Sequence, residues 1–208
     1  ESFFAPASVA VIGATEKVGS VGRTVFWNLI SSPFGGTVYP VNRLRPSILG
    51  VRAYPNIAAL PEVPELAVIV TPAATIPATV EECAAAGVKA VVIISAGFRE
   101  AGPEGLALEA RVRAEQAKFD GMRIIGPNCL GLIVPRLKIN LSFANAAMPR
   151  HGHVAFISQS GALCTSVLDW ALTQGIGFSY FVSVGNMLDV TFSDLIDYFG
   201  QDADTRSM

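Results

Sequence analysis

A doubly wound α/β fold with a parallel sheet is the architecture this sequence predicts, and three observations carry the prediction. Short, β-branched apolar runs alternate with stretches patterned like helices. The runs at residues 66–70 and 90–94 show no polar face, as strands covered on both sides require. The first run enters a glycine-punctuated turn, VAVIGATEKVGSVG over residues 9–22, before the first helical stretch.

Taken in order, residues 9–12 read as the first strand, and a helix follows near 21–30. A second strand at 37–41 runs into Asn42-Arg43-Leu44-Arg45, and a third lies at 66–70. The helix near 77–86 opens on Pro77, whose missing N–H costs nothing in a first turn, and stops at Gly87. A fourth strand at 90–94, a helix at 104–119 and a fifth strand at 123–125 complete the alternation. Past Gly126 the rhythm breaks into GPNCLG and an irregular stretch to about His153. It restarts as a strand at 154–157, a helix from Gly161, a strand at 178–182 and a helix at 192–199. This predicts one domain over residues 1–145 and the incomplete beginning of a second α/β domain over 146–208. The initial Glu1 and the polar turn at 201–205 read as the limits of an excerpt from a longer protein.

Composition narrows the function. With 208 residues, a net charge of −2 and 15% charged residues, the chain has no broad attraction for nucleic acid or a membrane surface. No apolar run approaches the length of a membrane span. The three cysteines, Cys83, Cys129 and Cys164, are odd in number and unspaced for a metal or a disulfide framework. A small-molecule protein of the reducing cytoplasm, without a metal, is expected.

The glycine turn brings backbone close to phosphate at a helix start. Its spacing departs from the G-x-G-x-x-G fingerprint, with more residues between the first and second glycines. That length lets Lys17, Ser20 and the amides near Gly19 and Val21 meet a phosphate. Arg43 and Arg45 end the second strand, where an acidic residue would suit a free ribose hydroxyl and arginine suits a phosphorylated one. NADP and coenzyme A are therefore the ligands to consider. The plain alternatives are a tight strand-to-helix turn and two solvated charges.

Thr71, Pro72 and Ala73 end the third strand, and Ser95, Ala96, Gly97 and Phe98 end the fourth, at the same sheet edge. Phe98 reads either as a core aromatic or as a wall for an adenine or pantetheine group. A second anion candidate is Ser158, Ser160, Gly161 and Ala162, between a strand and a helix, with a simple serine N-cap as the alternative. It is no hydrolase elbow, because Ser158 and Ala162 stand where that motif needs glycines. His151 and His153 have no carboxylate or cysteine partner at ligand spacing, which favours a surface turn.

Together, VAVIGATEKVGSVG, YPVN at 39–42, AVIVTPA at 67–73, VIISAGF at 92–98, GPNCLG at 126–131, SQSGAL at 158–163 and SVGNMLDV at 183–190 resemble one family. It is the CoA-binding region of NDP-forming acyl-CoA synthetases, related to the succinyl-CoA synthetase α subunit. The resemblance implies a Rossmann-like CoA-binding domain followed by the start of a flavodoxin-like domain. It implies that residues 13–21, Arg43 or Arg45, 71–73 and 95–98 surround CoA or acyl-CoA, with Asn128 near the thiol. Ser158, Ser160, Gly161 and Ala162 would match the family's phosphate-binding helix start. The family's phosphocarrier histidine follows this segment, so neither His151 nor His153 takes that role, and no catalytic residue is expected in the chain. Implied partners are a small carboxylic acid or acyl phosphate, a nucleotide-grasp domain or β subunit that would hold ATP or ADP and Mg, and a further copy in a homo-oligomer. One departure concerns the ribose side, where Val41-Asn42-Arg43-Leu44-Arg45 stands against the commoner VNPK, replacing its proline and moving positive charge to either side of the usual lysine. Two other readings remain: the CoA-sensing region of a protein lysine acetyltransferase fusion, and an NADP-dependent reductase.

Overall fold

A computed structural model describes residues 1–144 and 147–208. Strand β1 (Ser8–Ile12) leads into helix α1 (Val21–Ser31), then β2 (Thr37–Val41) and a small hairpin, β3 (Ser47–Ile48) and β4 (Val51–Arg52). Strand β5 (Leu66–Ile69), helix α2 (Ile76–Ala85), β6 (Ala90–Ile93), α3 (Pro103–Gln116) and β7 (Arg123–Ile125) follow. These strands form a five-stranded sheet in the order β2-β1-β5-β6-β7. All its pairs are parallel. The predicted doubly wound fold is therefore present.

The order follows from burial on both faces. Val9, Val11, Val68 and Val92 turn to the face that packs Val25, Phe26 and Leu29 of α1. Ala10, Ile12, Ala67, Ile69, Val91 and Ile93 turn to the opposite face, with Ile76, Val80 and Cys83 of α2 and Val112 of α3. Strand periodicity puts neighbours in different cores, so each run must be apolar throughout. Fully burying one large side chain such as Phe26 contributes about 2–3 kcal/mol. Because β1 lies between β2 and β5, the chain reverses its direction of winding there, and the carboxyl ends of β1 and β5 open a crevice.

The stretch expected to be irregular proves to contain a hairpin, β8 (Gly131–Val134) and β9 (Ile139–Ser142). Strand β10 (His151–Ser158), helix α4 (Gly161–Gln174), β11 (Phe178–Ser183) and helix α5 (Phe192–Gly200) complete the chain. The second sheet runs β10-β11-β8-β9, and Ser207 bridges to Val154 in parallel beyond β10. Residues before the expected boundary thus share a sheet with residues after it; the boundary itself, between residues 145 and 146, lies outside the described residues. Helix α1 is the common layer. Its Asn28 Nδ2 donates to the carbonyls of Ser142 at 2.8 Å and Ala144 at 3.1 Å.

The loop joining β11 to α5 covers the free edge of β7. Amides of Asn186, Leu188 and Val190 donate to Pro127, Gly126 and Ile124 carbonyls at 2.8, 2.9 and 3.0 Å. Asp189 takes the Ile124 amide at 2.7 Å and Arg123 Nε at 3.0 Å, and Arg123 also reaches Asp194 at 3.0 Å. Helix α5 starts with a capping box between Thr191 and Asp194. Hydrogen bonds from the Thr191 hydroxyl and amide, helped by Arg123, hold the Asp194 carboxyl down to about 2. A lowered folded-state value stabilises above the ordinary value of 3.8 and ceases to do so as pH falls through about 2. Asp194→Asn is therefore expected to cost about 1 kcal/mol at neutral pH, discounted for exposure, with the difference from wild type closing in acid. Urea midpoints measured at several pH values test this; a difference independent of pH contradicts it.

Candidate functional site

The glycine turn is held from both sides. The Gly13 amide donates to Val41 at 3.0 Å, and Asn42 Nδ2 donates to the Ala14 carbonyl at 2.8 Å. Asn42 Oδ1 in turn accepts the Leu44 and Arg45 amides at 2.9 and 3.1 Å, so one side chain joins the glycine turn to the basic segment. Ser20 caps α1, accepting the Arg23 amide at 3.4 Å and donating to the Lys17 carbonyl at 2.7 Å. Glu16 accepts Arg45 at 3.1 Å through one oxygen and the Leu49 amide at 3.1 Å through the other. Arg45 is thereby engaged within the protein. Val18 stands 80% exposed at the tip of the turn.

Two cavities flank this turn at the carboxyl edge of the parallel sheet. The smaller, about 270 Å³, is bordered by Gly13, Asn42, Arg43, Thr71, Pro72 and Thr75. The larger, about 510 Å³, includes Val21, Ser95, Ala96, Asn128, Ser160 and Gly161 in its lining. Val70 lines the larger and Thr71 the smaller, so the end of β5 separates them. The larger cavity brings the first anion candidate to the second. Val21 and Gly161 each begin a helix, where N–H groups have no partners within the helix and the dipole favours negative charge.

The predicted residues divide accordingly. Gly13, Arg43, Thr71 and Pro72 border one cavity, and Val21, Ser95, Ala96, Asn128, Ser160, Gly161 and Ala162 the other. Thr15, Lys17, Val18, Gly19, Ser20, Arg45, Ala73 and Gly97 border neither. Ser158 lies beneath α4, its Oγ accepting the Ser160 amide at 3.1 Å, while Ser160 caps the helix through the Leu163 amide at 3.2 Å. Phe98 is wholly buried among side chains of α2 and α3, so of its two readings the fold realises the core aromatic. The backbone turns there, the Gly97 and Phe98 amides donating to Glu100 Oε1 at 2.6 and 3.0 Å.

Both histidines need correction. Asp204, distant in sequence, reaches His151 Nε2 at 2.6 Å and His153 Nδ1 at 3.3 Å. His151 opens strand β10 rather than standing in a turn. The His151 hydrogen bond holds the Asp204 carboxyl below its ordinary range. Cys129 borders the larger cavity, yet burial pushes its thiol up to about 12, which suits packing rather than nucleophilic chemistry. Among the described residues, no group of three or more ligating side chains could hold a metal, and no helix is long and apolar enough to cross a membrane.

Sequence reasoning passed over Glu100 and Asn186, and named Gln159 only as part of its second anion segment. Gln159 borders the larger cavity, within the quoted SQSGAL segment. Asn186 donates to Glu100 Oε2 at 2.6 Å and accepts from Asn128 at 3.3 Å. Its only signal was its place in SVGNMLDV.

A glycine turn, a topological switch and ligand-sized cavities at the strand ends define a doubly wound α/β protein with its candidate site at the carboxyl edge of the sheet. Residues 7–135 match the family model described as CoA binding domain, and the chain belongs to that family. Residues 151–208 match a second model, the succinyl-CoA ligase like flavodoxin domain. The chain is 45% identical over 205 residues to acetate–CoA ligase [ADP-forming] I of Archaeoglobus fulgidus, covering 99% of this chain and 29% of that protein. It is 45% identical over 204 residues to the α subunit of acetate–CoA ligase [ADP-forming] II of Pyrococcus furiosus, covering 98% and 43%. A solved structure, the dinucleotide forming acetyl-coenzyme A synthetase 1 of Ca. Korarchaeum cryptofilum in complex with phosphate and ADP, superposes with a TM-score of 0.91 at 36% identity, covering 97% and 43%. The chain thus spans less than half the length of each.

Proposed function

We propose that this chain is the CoA-binding part of an ADP-forming acyl-CoA synthetase. The observation that carries the reading is the larger cavity, which joins the first-sheet edge and Asn128 to the start of α4. CoA would lie along that edge, its ribose phosphate at the smaller cavity, its pyrophosphate at the start of α1 and its thiol in the larger cavity. There the thiol sulfur would attack the carbonyl carbon of an acyl phosphate, a C–S bond forming as the C–O bond to phosphate breaks and the thiol proton passing to the departing phosphate. The departing phosphate would be held by the Gly161 and Ala162 amides, where the helix dipole favours it. Phosphate transfer through a histidine to ADP, with Mg, would require parts of the longer relatives that this chain does not span. A small carboxylic acid is the second substrate class, and a nucleotide-grasp domain or β subunit the partner.

For the ribose phosphate this reading assigns Arg43, because Arg43 borders the smaller cavity whereas Glu16 holds Arg45. Arg43→Ala is expected to weaken CoA about tenfold and dephospho-CoA little, while Arg45→Ala affects both alike. Calorimetry with CoA, dephospho-CoA and NADP tests it. Equal losses for CoA and dephospho-CoA in Arg43→Ala would remove the arginine assignment, and a preference for NADP would remove the CoA reading itself.

A further inference from the structure

We propose that Asn186 is a positioning residue for the thiol end of the CoA site, holding Asn128 and the turn after β6 in their binding arrangement; this rests on the CoA reading above. Asn186 is 7% exposed and sits where three parts of the chain meet. Its Nδ2 donates to Glu100 Oε2 at 2.6 Å and to Glu109 Oε2 at 3.2 Å, and its Oδ1 accepts from Asn128 Nδ2 at 3.3 Å. Its carbonyl accepts the Arg99 guanidinium, and its amide donates to Pro127 at 2.8 Å. Glu100 passes the constraint onward through its other oxygen, which takes the Gly97 and Phe98 amides. Asn128, which borders the larger cavity, and Gly97 and Phe98, which directly follow the cavity-lining Ser95 and Ala96, are thus braced by one side chain from the loop after β11.

The chemistry selects a carboxamide. Carboxylate oxygens of Glu100 and Glu109 accept from the NH₂ group, and the amide oxygen is left for Asn128. Aspartate would set a third carboxylate against the other two, and an apolar residue would leave the buried Glu109 short of a donor. Burial alone would raise the Glu100 carboxyl, but hydrogen bonds from Asn186 and from the Phe98 and Gly97 amides outweigh it and hold it below the ordinary range. Asn186 itself does not border the cavity, so its effect on ligand passes through the groups it holds.

The test compares CoA with adenosine 3′,5′-bisphosphate, which lacks the pantetheine arm, and follows hydrogen exchange at the Gly97 and Phe98 amides. Asn186→Ala is expected to weaken CoA about tenfold, leave the bisphosphate within about twofold, and accelerate exchange at both amides. Glu100→Gln breaks the network from its other end without altering the β11–α5 loop, and should give the same three results if Asn186→Ala does not fold. Equal weakening of both ligands, unchanged CoA affinity, or unchanged exchange would each overturn the proposal. If the wild-type protein binds neither ligand, the CoA reading fails instead, and exchange alone decides: acceleration at Gly97 and Phe98 supports the bracing role, and its absence refutes it.

Discussion

Gly22→Ala is expected to cost about 3 kcal/mol of stability and to weaken CoA binding by far more than about tenfold. A Cβ at this position would stand 2.3 Å from the Gly13 carbonyl oxygen and 3.3 Å from Val70. The first contact is with backbone, so no rotamer change relieves it. Gly13 cannot withdraw easily, since its amide is bonded to Val41 and its neighbour Ala14 to Asn42. Either α1 lifts from the sheet or the turn changes shape, and both displace the helix start that would face pyrophosphate. Gly19→Ala provides the comparison. Gly19 has a φ of +77° but nothing within 4 Å of an added Cβ, so only about 1 kcal/mol of backbone strain is expected. Chemical denaturation and CoA titration of the two variants would decide; equal behaviour would mean that close packing of helix on turn does not shape the site.

The legible parts of this fold are those in which local pattern and tertiary need coincide. Strands β1, β5 and β6 announce themselves because burial on both faces demands unbroken apolar residues, and Gly87 marks the end of α2 through a φ of +90°. Strand β9 does not, because Asn140 and Ser142 interrupt its apolar character. Both are buried, and they satisfy each other, the Ser142 hydroxyl donating to Asn140 Oδ1 at 2.7 Å. The site divides in the same way. The helix starts at Val21 and Gly161, proposed above as backbone-based anion sites, follow from a strand, a small-residue turn and a helix in sequence. The roles of Arg45, His151 and Asn186 depend on Glu16, Asp204 and Glu100, partners that only folding brings near. Motif resemblance marked SVGNMLDV without saying what Asn186 touches.

Gly185→Ala should strike the same cavity from beneath, with a loss of about 3 kcal/mol and impaired CoA binding. Gly185 has a φ of +56°, and its added Cβ would lie 2.2 Å from the Pro127 carbonyl oxygen and 2.6 Å from that of Asn128. Left-handed strain alone costs about 1 kcal/mol. The larger part comes from collision with the turn that presents Asn128 to the cavity. That turn cannot retreat freely, because the Asn128 amide donates to Ser95 at 3.0 Å and the Asn186 amide holds Pro127. Gly175→Ala separates the two contributions: its φ is +67°, but the nearest atom to an added Cβ is Arg150 Nη1 at 3.6 Å, an ordinary contact with a flexible side chain. If Gly185→Ala loses no more stability than Gly175→Ala, the seam between loops is softer than these distances require. If it loses stability but binds CoA and adenosine 3′,5′-bisphosphate in the wild-type ratio, Asn128 does not serve the thiol end. A loss confined to CoA would tie the β11–α5 loop to the cavity through the backbone, independently of the Asn186 side chain.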